Sequence, residues 1–551
     1  MNAEQDCAVV VIGAGPCGLI AAIELGRRGI PVIVLEEKTS PARFPAANAT
    51  QARTMEHYRR LGFAEKVRAQ GLPGDYPTDI AYFTRYTKHE LARFSLPSAK
   101  AARELIKTMS GSWSAAELPH RISQMFVEDV LRKEAESYPS VSLRMGWKVT
   151  SVRDTGDGVE ADAERVDDSE RKTVRASYAL AADGGTSPIR KSLGISFAGE
   201  SGVTRDFMGG RMFAIYFRSP DLYNVLPHAK AWMYWTVNGD RRAFMASVNG
   251  KDEFTFHTQL RPDQRADQIS DDEAKAMFHE GMATKLDVEI IARSSWNAGY
   301  TLVAEKFSKG RIFLGGDAVH LFTPTGGLGY NTAVEDAVNL SWKLAAMLKG
   351  WGGPKLLDSY EPERKALATR NTKYARGFAD NLGLFVPPAE LEDETPAGEA
   401  ARKLTGDHFN RHARFEFNIP GITFGGRYDG SPVIASDGTS PPPDTINDYV
   451  PTACPGGRPP HVWLPDGRSL YDTFGPEFTL LRLGPNPPDA EPFVSAAREV
   501  GMPLTILELP SREIMDLYDS DLALIRPDQI VSWRRNGEIN PASVVRRVCG
   551  Y

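Results

Sequence analysis

The chain of 551 residues is too long for a single hydrophobic core, and its length predicts about three to four domains or subdomains. Hydrophobic residues make up 42% of the chain and charged residues 25%, which are ordinary values for a soluble globular protein. The formal net charge is -6, and lysines and arginines form no long run, so a nucleic-acid partner is not expected.

The four cysteines, Cys7, Cys17, Cys454 and Cys549, include no CxxC pair. Their wide separation predicts neither a disulfide framework nor a zinc site, no other metal is expected, and the pattern favours a reducing cytoplasm. The apolar run that begins at Ala8 follows acidic residues and is interrupted by glycine and proline. We therefore expect a strand and a helix there, and neither a signal peptide nor a membrane span.

The N-terminal segment carries a dinucleotide-binding pattern. Residues 8–12 form a β-branched run typical of a buried strand, and Gly13, Gly15 and Gly18 follow it at the start of an apolar helix. A second predicted strand ends at Glu36. In such units the glycines make the tight turn, admit a pyrophosphate and pack the helix on the strand, while the acid binds ribose hydroxyls. The pattern predicts nucleotide binding, and a glycine-rich turn without a ligand is the alternative.

Helices and strands alternate through the following 150 or so residues. A helix opens after Asn48 and contains Arg53, and a second helix is predicted around Gln124. Strands are predicted over residues 80–84, 90–96, 147–153, 159–163 and 177–182. The last of these strands ends at Asp183 and Gly184.

Residues from about 199 to 296 alternate with period two, which predicts an antiparallel sheet inserted between the nucleotide-binding pieces. In one strand Trp232 and Tyr234 are expected on one face, with Met233 and Trp235 on the other. Either face is placed to line a pocket for an aromatic ligand, and core packing is an equal alternative for each residue.

Residues 311–344 predict a short buried strand, a Gly-Gly-Asp turn, a loop rich in proline and glycine, and a long helix. Asp317, at the strand end, is placed to accept hydrogen bonds from a sugar hydroxyl. Gly327 and Gly329 allow backbone N–H groups to approach a ligand closely at the positive end of the helix dipole. This segment is therefore a second candidate for ligand binding.

The start of that long helix follows from a capping-box pattern. Thr332 and Glu335 have the required spacing, which places the first turn of the helix at Thr332, with Asn331 as the competing cap. Another helix is predicted over residues 357–379.

The C-terminal third predicts loops followed by a small domain. Residues 387–400 predict a surface loop, and the prolines across residues 429–460 predict an extended linker. Beyond them a strand, helix, strand and hairpin indicate an α/β domain of about a hundred residues. The predicted parts are a nucleotide-binding domain of residues 1–75, 117–198 and 297–400, a sheet domain of residues 76–116 and 199–296, a linker region of residues 401–445, and a C-terminal domain of residues 446–551.

Three separated motifs occur in an order that resembles one known family. They are the N-terminal glycines with Glu36, Asp183-Gly184 after a strand, and Gly316-Asp317 before the glycine loop. With the ARTMExxRRLG helix and Gln124, they make about residues 5–380 resemble the class A flavoprotein aromatic hydroxylases, the family of 4-hydroxybenzoate hydroxylase and phenol hydroxylase. The resemblance implies an α/β fold with a Rossmann-like FAD-binding domain, an inserted antiparallel-sheet substrate domain and, as in the phenol hydroxylase branch, a C-terminal thioredoxin-like domain.

The resemblance also implies which residues bind FAD. The first glycines and Glu36 would contact the pyrophosphate and the adenosine ribose, and Gln124 and Asp317 would face the ribityl region. The backbone of residues 327–331 would hold the flavin pyrimidine edge, and Asp183-Gly184 is implied in both FAD and NAD(P)H binding. The implied cofactor-binding set is Gly13, Gly15, Gly18, Glu36, Arg53, Gln124, Asp183, Gly184, Asp317, Pro324, Gly327, Gly329, Tyr330 and Asn331.

Two positions depart from the family pattern. Ala46 stands where the family often has an arginine near the flavin, a role for which Arg43 and Arg53 are the candidate substitutes. Asn48 stands where phenol hydroxylase has a catalytic aspartate. An asparagine amide can hydrogen-bond a substrate hydroxyl but cannot act as a base, so deprotonation of the substrate would fall to another group.

The candidate catalytic residues are Asn48, Tyr234 and His320. The implied enzyme is a cytoplasmic, homodimeric, FAD-dependent monooxygenase without a nucleic-acid or membrane partner. It would use NADPH or NADH and O2 to hydroxylate a phenolic or other activated aromatic ring through a flavin hydroperoxide, with loss of a nitro or halide group as a variant. Epoxidation or Baeyer–Villiger oxygenation of a polyketide-like ring is one alternative, and flavin binding without turnover is another. A flavin-dependent halogenase is not expected because the WxWxIP motif is absent.

Overall fold

The computed structural model describes residues 5–41, 44–202, 205, 207–537 and 540–551. Arg43, a candidate substitute for the family arginine, lies outside the described residues. The described strands are β1 (Val9–Ile12), β2 (Val32–Glu36), β3 (Ala49–Thr50), β4 (Ile80–Phe83), β5 (Glu90–Phe94), β6 (His120–Arg121), β7 (Val141–Met145), β8 (Trp147–Asp154), β9 (Val159–Arg165), β10 (Arg171–Ala176), β11 (Tyr178–Ala181), β12 (Phe197–Glu200), β13 (Arg211–Arg218), β14 (Met233–Thr236), β15 (Ala243–Ser247), β16 (Glu253–Gln259), β17 (Glu289–Asn297), β18 (Thr301–Ala304), β19 (Ser308–Lys309), β20 (Ile312–Leu314), β21 (His320–Leu321), β22 (Phe478–Leu483), β23 (Leu504–Leu509), β24 (Leu522–Ile525) and β25 (Val531–Arg534).

The described α-helices are α1 (Pro16–Gly26), α2 (Ala52–Arg60), α3 (Ala64–Arg68), α4 (Ala99–Leu105), α5 (Gln124–Glu136), α6 (Pro188–Ser192), α7 (Leu222–Val225), α8 (Asp271–Met282), α9 (Leu328–Leu348), α10 (Lys355–Asp358), α11 (Tyr360–Gly383), α12 (Pro396–Phe417), α13 (Pro420–Phe424), α14 (Glu491–Val500), α15 (Arg512–Tyr518) and α16 (Pro541–Val548). Short 3₁₀ turns occupy Ile106–Thr108, Gly111–Trp113, Ala266–Gln268, Gly316–Ala318, Ala389–Glu392 and Leu470–Thr473. Among the helices described, none combines the length and the apolar character that a membrane crossing requires.

The first sheet brings the sequence motifs to one edge. Its strand order is β19-β20-β11-β1-β2-β7, with β19 antiparallel and the other strands parallel. Ile12 pairs with both Leu35 and Ala181, and Ala181 pairs with Leu314. The glycine turn, the acid of β2 and the two Asp-containing turns therefore leave the sheet at the same level. Ligands of open α/β sheets bind at this carboxyl edge.

The second sheet is the inserted one that the alternation predicts. Its seven strands have the order β17-β13-β16-β15-β14-β4-β5. The pair β14 and β4 is parallel, and all the other neighbouring pairs of this sheet are antiparallel. One face packs on α8 through Phe278, in a cluster that includes Tyr234. The opposite face packs on α12, where the Phe409 ring stacks on Tyr82 with centroids 4.7 Å apart.

The predicted facing of Trp232 is wrong. Trp232 belongs to the same cluster as Met233 and Trp235, whereas Tyr234 lies in the cluster on the other side of the sheet. The reason is that β14 begins at Met233, so Trp232 precedes the strand and the alternation does not extend to it. Trp232 is therefore free to turn toward the residues around Asn48.

The segment predicted as a loop and linker contains a long helix. Residues 396–417 form α12, which overlaps the predicted loop of residues 387–400 and the predicted linker region of residues 401–445. Thr395 caps it by accepting a hydrogen bond from Gly398 N–H, and Pro396 occupies its first turn. The proline that suggested a loop is thus a helix-start residue. Burial against β5 and the second sheet stabilises the helix.

Residues 446–551, called here the C-terminal unit, contain a four-stranded sheet in the order β23-β22-β24-β25. The order of strand, helix, strand and hairpin agrees with the sequence prediction. The sheet packs on α9, where the Trp342 ring meets Phe478 edge-on with centroids 5.7 Å apart. The likeness of this unit to thioredoxin and the domain limits stay predictions.

Candidate active site

The turn between β1 and α1 leaves room for a ligand at Gly15. Gly13 has φ +99°, and a Cβ there would lie 2.4 Å from the Ala182 carbonyl oxygen. A Cβ on Gly18 would lie 1.9 Å from the Gly13 carbonyl oxygen. A Cβ on Gly15 would meet no atom within 4 Å, and no side chain caps α1. Packing therefore requires Gly13 and Gly18, whereas Gly15 opens the first N–H groups of the helix to an anion.

Glu36 fastens the same turn. Its carboxylate accepts hydrogen bonds from Ala14 N–H at 2.6 Å and from Lys38 N–H at 3.0 Å. The side chain is half-buried at the end of β2, and each oxygen keeps a further lone pair. Binding of ribose hydroxyls by Glu36 stays a prediction that these contacts permit.

Asp183 fastens the turn that leads into the short helix α6, whose N-cap is Ser187. Its two oxygens accept hydrogen bonds from the Ser187 hydroxyl at 2.6 Å and from Ile189 N–H at 3.2 Å. Burial raises the pKa of the Asp183 carboxyl, and these hydrogen bonds oppose the increase. Gly184, with φ +82°, would have open space around a Cβ. The turn is therefore held by Asp183, and its role in cofactor binding stays a prediction.

Asp317 lies in the 3₁₀ turn after β20, at the same edge of the sheet. Its side chain is exposed. Desolvation by the surrounding protein raises the pKa of Asp317, His320 opposes this increase, and the nearby carboxylate of Asp336 adds to it. Within the described residues the Asp317 carboxylate has no protein hydrogen-bond donor, and such a group is suited to accept hydrogen bonds from sugar hydroxyls.

A buried group of charges supports the Asp317 turn. Asp336 on α9 accepts from Gly316 N–H at 3.1 Å, and its oxygens lie 2.8 Å from His320 Nε2 and 2.8 Å from Arg364 Nε. The side chains of Asp336, His320 and Arg364 are fully buried. Burial acts to raise the pKa of Asp336, but His320 and Arg364 outweigh it and the pKa is lowered. His320 therefore stabilises the turn through Asp336.

The long helix α9 begins one turn earlier than predicted. Its first residue is Leu328, and Gly327, with φ +63°, precedes it as an uncapped N-cap. Thr332 lies inside the helix, where its hydroxyl donates to the Leu328 carbonyl at 2.8 Å. Glu335 does not reach back as a capping box requires, because it pairs with Arg364 at 3.0 Å. The positive end of the helix dipole therefore lies at residues 327–330.

Asn331 joins this helix start to the segment around Asn48. Its amide donates to the Ala49 carbonyl at 3.0 Å and to the Gly327 carbonyl at 2.5 Å, and its oxygen accepts from Gln51 N–H at 2.8 Å. The Gln51 side chain in turn donates to the Gly326 carbonyl at 2.7 Å. Two segments that are about 280 residues apart in the chain are thus held together.

The loop before α9 and the first turn of that helix also contain Tyr330, Pro324 and Gly329, the other residues predicted to contact the cofactor. Tyr330 forms a hydrogen bond between its hydroxyl and that of Tyr58, and burial raises the pKa of both groups above the ordinary value. Pro324 is exposed, and a Cβ on Gly329 would lie 3.4 Å from the Phe322 ring. Their contacts with a cofactor stay predictions.

Arg53 and Gln124 use their donors on protein groups. Arg53 is buried and donates to the carbonyls of Asp528 and Gln529, at 2.9 and 3.0 Å, and to Glu56 at 3.0 Å. These contacts tie α2 to the C-terminal unit and leave Arg53 a poor substitute for the family arginine. Gln124 donates to Glu128 at 2.7 Å, and its oxygen remains available.

Asn48 lines a small pocket beside the second sheet. Ser123 and Trp232 also line the cavity. Within the described residues the Asn48 amide has no hydrogen-bond partner, and the buried Ser123 hydroxyl has none either. A cavity with an aromatic wall and unpaired polar groups is suited to a small aromatic ligand.

The three candidate catalytic residues are not brought together. Tyr234 lies on the opposite face of the second sheet from Trp232, where its hydroxyl accepts from Ala231 N–H at 2.7 Å. Burial raises the pKa of Tyr234 further above its ordinary value. His320 is committed to Asp336, so Asn48 is the candidate that faces the cavity. The catalytic roles of the three residues stay predictions.

Sequence reasoning missed Arg121 and Ser123, which stand close to Asn48. Arg121 lies on β6, and it pairs with Ala49 of β3. Its guanidinium carbon lies 4.8 Å from the ring centroid of Trp232. A two-residue strand that pairs with a segment about 70 residues away has no periodicity, so no local pattern could have identified it.

A family model described as an FAD binding domain matches residues 6–375. The FAD-dependent monooxygenase apdD of Emericella nidulans is 32% identical over 95% of this chain and 87% of its own length. Phenol 2-monooxygenase of a Pseudomonas species is 29% identical over 96% of this chain and 89% of its own. The solved structure of chromopyrrolic acid-soaked RebC with bound 7-carboxy-K252c superposes with a TM-score of 0.88, at 29% identity and with both chains fully covered.

The residues at the carboxyl edge of the first sheet fit FAD, because an open glycine turn, an exposed carboxylate and an uncapped helix start are groups suited to the phosphates and hydroxyls of a dinucleotide. The match covers more than half of the chain, and it confirms the predicted family, fold class and cofactor. The chain therefore belongs to the FAD-binding family of class A flavoprotein aromatic hydroxylases and is an FAD-dependent monooxygenase.

Proposed function

We propose that this enzyme hydroxylates a phenolic or other activated aromatic ring, with NADPH or NADH as the reductant and O2 as the oxygen source. The observation that carries the proposal is the Asn331 clamp, which holds the open start of α9 against the segment of Asn48. This clamp supports the proposal, because it would set the edge of a bound flavin beside the pocket of Asn48. When bound, FAD supplies hydride acceptance and oxygen activation.

The chain would bind FAD through the carboxyl edge of the first sheet. The N–H groups that follow Gly15 would hold the pyrophosphate, and Asp317 would accept hydrogen bonds from the ribityl hydroxyls. The start of α9 would set partial positive charge beside the pyrimidine edge of the flavin and stabilise negative charge there. Asp336 would keep the Asp317 turn in place.

In the substrate cavity, Asn48 would orient the ring through its hydroxyl. The amide donates and accepts hydrogen bonds but takes up no proton, so it positions the substrate and does not ionise it. The Ser123 hydroxyl, buried and unpaired, would complete the polar side of the cavity. Trp232 would form an aromatic wall and keep water out.

The test is purification of the protein with FAD, followed by NADPH and NADH oxidation with a panel of phenols and analysis of the products by mass spectrometry and NMR. We expect at least one phenol to accelerate oxidation and to gain one hydroxyl group. An Asn48→Ala variant should keep its FAD and lose coupling of NAD(P)H oxidation to product. An epoxide or a ring-expanded lactone as product would favour the epoxidase or Baeyer–Villiger alternatives. Bound FAD with no acceleration by any aromatic compound would contradict the proposal.

A further inference from the structure

A small pocket, called here the junction pocket, lies where the C-terminal unit meets α2 and α9. Residues of α2, α9 and α13 line it, among them His57, Asn339 and Thr423. Arg458 and Asp528 of the C-terminal unit line its other side. The junction pocket is distinct from the pocket of Asn48, because the two have no lining residue in common.

Three residues that line the junction pocket keep a buried polar atom without a partner. Within the described residues, His57 Nδ1, Asn339 Oδ1 and the Thr423 hydroxyl have no hydrogen-bond partner. The three residues are 2%, 0% and 8% exposed. An unpaired buried polar atom is costly, so three of them around one pocket indicate a bound molecule that forms hydrogen bonds.

The hydrogen-bonding capacity of these groups defines what the bound molecule must do. Asn339 Nδ2 donates to Glu363 at 2.7 Å, so the Asn339 oxygen is left to accept from a donor. Burial, together with Arg53 and other nearby arginines, lowers the pKa of His57 well below its ordinary value. The neutral ring therefore offers one N–H donor and one acceptor nitrogen, and the Thr423 hydroxyl both donates and accepts. The bound molecule must likewise donate and accept.

The charges at the junction pocket favour an uncharged molecule. Of the described residues, two cations and two carboxylates line the pocket, and each is paired within the protein. The pairs are Arg53 and Arg458 with Glu56, Asp528 with Arg526, and Glu335 with Arg364. An ion would add an unbalanced charge to a buried region, which is costly.

The size of the pocket selects among uncharged molecules. Its volume is about 30 Å³. One water molecule needs a cavity of roughly 10–15 Å³, so the pocket has room for about two, and it is too small for an aromatic ring. Each water molecule can donate two hydrogen bonds and accept two, which suits His57, Asn339 and Thr423 together.

We propose that the junction pocket is a binding site for ordered water, in which about two molecules bridge His57, Asn339 and Thr423. These waters link α2, α9 and α13 at the surface that the C-terminal unit covers. They are therefore part of the attachment of that unit, alongside the ion pairs of Arg53 and Arg458 with Glu56.

The first experiment is a crystal structure of the full-length, FAD-loaded enzyme at a resolution that shows ordered water. We expect about two water molecules within hydrogen-bond distance of His57, Asn339 Oδ1 and the Thr423 hydroxyl. A bound ion, a larger solute or a pocket without ordered density would overturn the inference.

The second experiment compares two threonines by the midpoint of thermal unfolding of the FAD-loaded enzyme. Thr423→Val keeps the shape but loses a hydrogen bond to water, and the midpoint should fall by about 1–2 °C. Thr405→Val is the matched control, because within the described residues the buried Thr405 hydroxyl has no partner either and lies outside the pocket. Its loss should leave the midpoint unchanged or raise it. A midpoint of Thr423→Val as high as that of Thr405→Val would overturn the inference.

A double substitution tests whether the waters are shared. His57→Phe should also lower the midpoint, and His57→Phe with Thr423→Val should lower it by less than the sum of the two single effects, since the first change already breaks the bridge. Additive effects would mean that the two residues hold no common water and would overturn the bridge. If a variant loses its fold by circular dichroism, the crystal structure of the wild-type enzyme decides.

Discussion

Asn331 and Gln51 are joined by a hydrogen bond in which the Gln51 N–H donates to the Asn331 side-chain oxygen at 2.8 Å. The same Asn331 amide donates to two backbone carbonyls, so one buried side chain satisfies three backbone groups. The start of α9 and the segment of Asn48 are thus parts of one hydrogen-bonded structure. A change in the loop before α9 should therefore alter the segment of Asn48, and a change in that segment should alter the loop.

Replacement of Asn331 should therefore separate these two loops. Asn331→Ala loses three buried hydrogen bonds, and we expect the free energy of unfolding to fall by about 2–4 kcal/mol. FAD affinity should fall as well, because the start of α9 is no longer held. Urea denaturation and FAD titration measure the two effects. Asn224→Ala, at an exposed position, is the control, and an Asn331→Ala variant as stable as this control would contradict the clamp.

The glycines of the first turn should separate packing from ligand binding. Gly15→Ala places a methyl group in open space, so the stability of the FAD-free protein should change by only about 0.5 kcal/mol, while FAD affinity falls about tenfold or more. Gly13→Ala places its methyl group against a carbonyl at a strained φ and should destabilise the FAD-free protein by about 2 kcal/mol or more. Similar losses of stability in the two variants would show that the turn is misinterpreted.

Asp317 should contribute to FAD retention through its charge. Asp317→Ala removes acceptors for sugar hydroxyls, and we expect FAD affinity to fall about 10- to 100-fold. Asp317→Asn should fall between this variant and wild type. The flavin content of purified protein and a titration of the FAD-free form provide the readout, with exposed Asp167→Ala as the control. Full flavin content in Asp317→Ala would refute the role.

Glu56 should make the attachment of the C-terminal unit depend on pH. Burial acts to raise its pKa, but Arg458, with Arg53, outweighs burial and lowers the pKa to about 2. Because the folded-state pKa lies below the ordinary value of 4.5, this stabilisation is complete above about pH 4.5 and is lost as the pH falls toward 2. It amounts to about 3 kcal/mol.

Glu56→Gln should accordingly remove this part of the acid dependence. At neutral pH the variant leaves two arginines without their carboxylate and should lose about 3–5 kcal/mol of stability. Glu65→Gln, in an exposed pair with Arg103, should lose less than about 1 kcal/mol. Urea denaturation between pH 3 and 7 measures both. Parallel pH profiles for Glu56→Gln and wild type would contradict the assignment.

Sequence patterns predicted the structure correctly where it depends on residues that are neighbours in the chain. The β-branched run before Gly13, the acid after β2 and the turn at Asp317 all lie as predicted, because a parallel sheet of buried strands imposes their arrangement. The arrangement of these turns at the carboxyl edge of the first sheet was therefore predictable from single motifs.

The features that sequence patterns did not predict depend on contacts between distant segments. The Thr332 capping-box pattern was misleading, because a left-handed Gly327 starts α9 and Glu335 turns to Arg364. Tertiary burial selects α12 where prolines suggested a loop. The position of Arg121 beside Trp232 follows from the pairing of β6 with β3. No local periodicity encodes these choices.

The buried charges between α9, α11 and the C-terminal unit have a consequence for protein engineering. Lys343 and Arg526 face Glu363, and Arg526 also faces Asp528, so two cations and two carboxylates balance within a buried region. A protein truncated before the C-terminal unit would keep Lys343 and Glu363 but lose both Arg526 and Asp528, and Trp342 would become exposed. Chimeras between relatives should therefore exchange the C-terminal unit together with α9 and α11, so that these four charged side chains and the cover of Trp342 come from one parent.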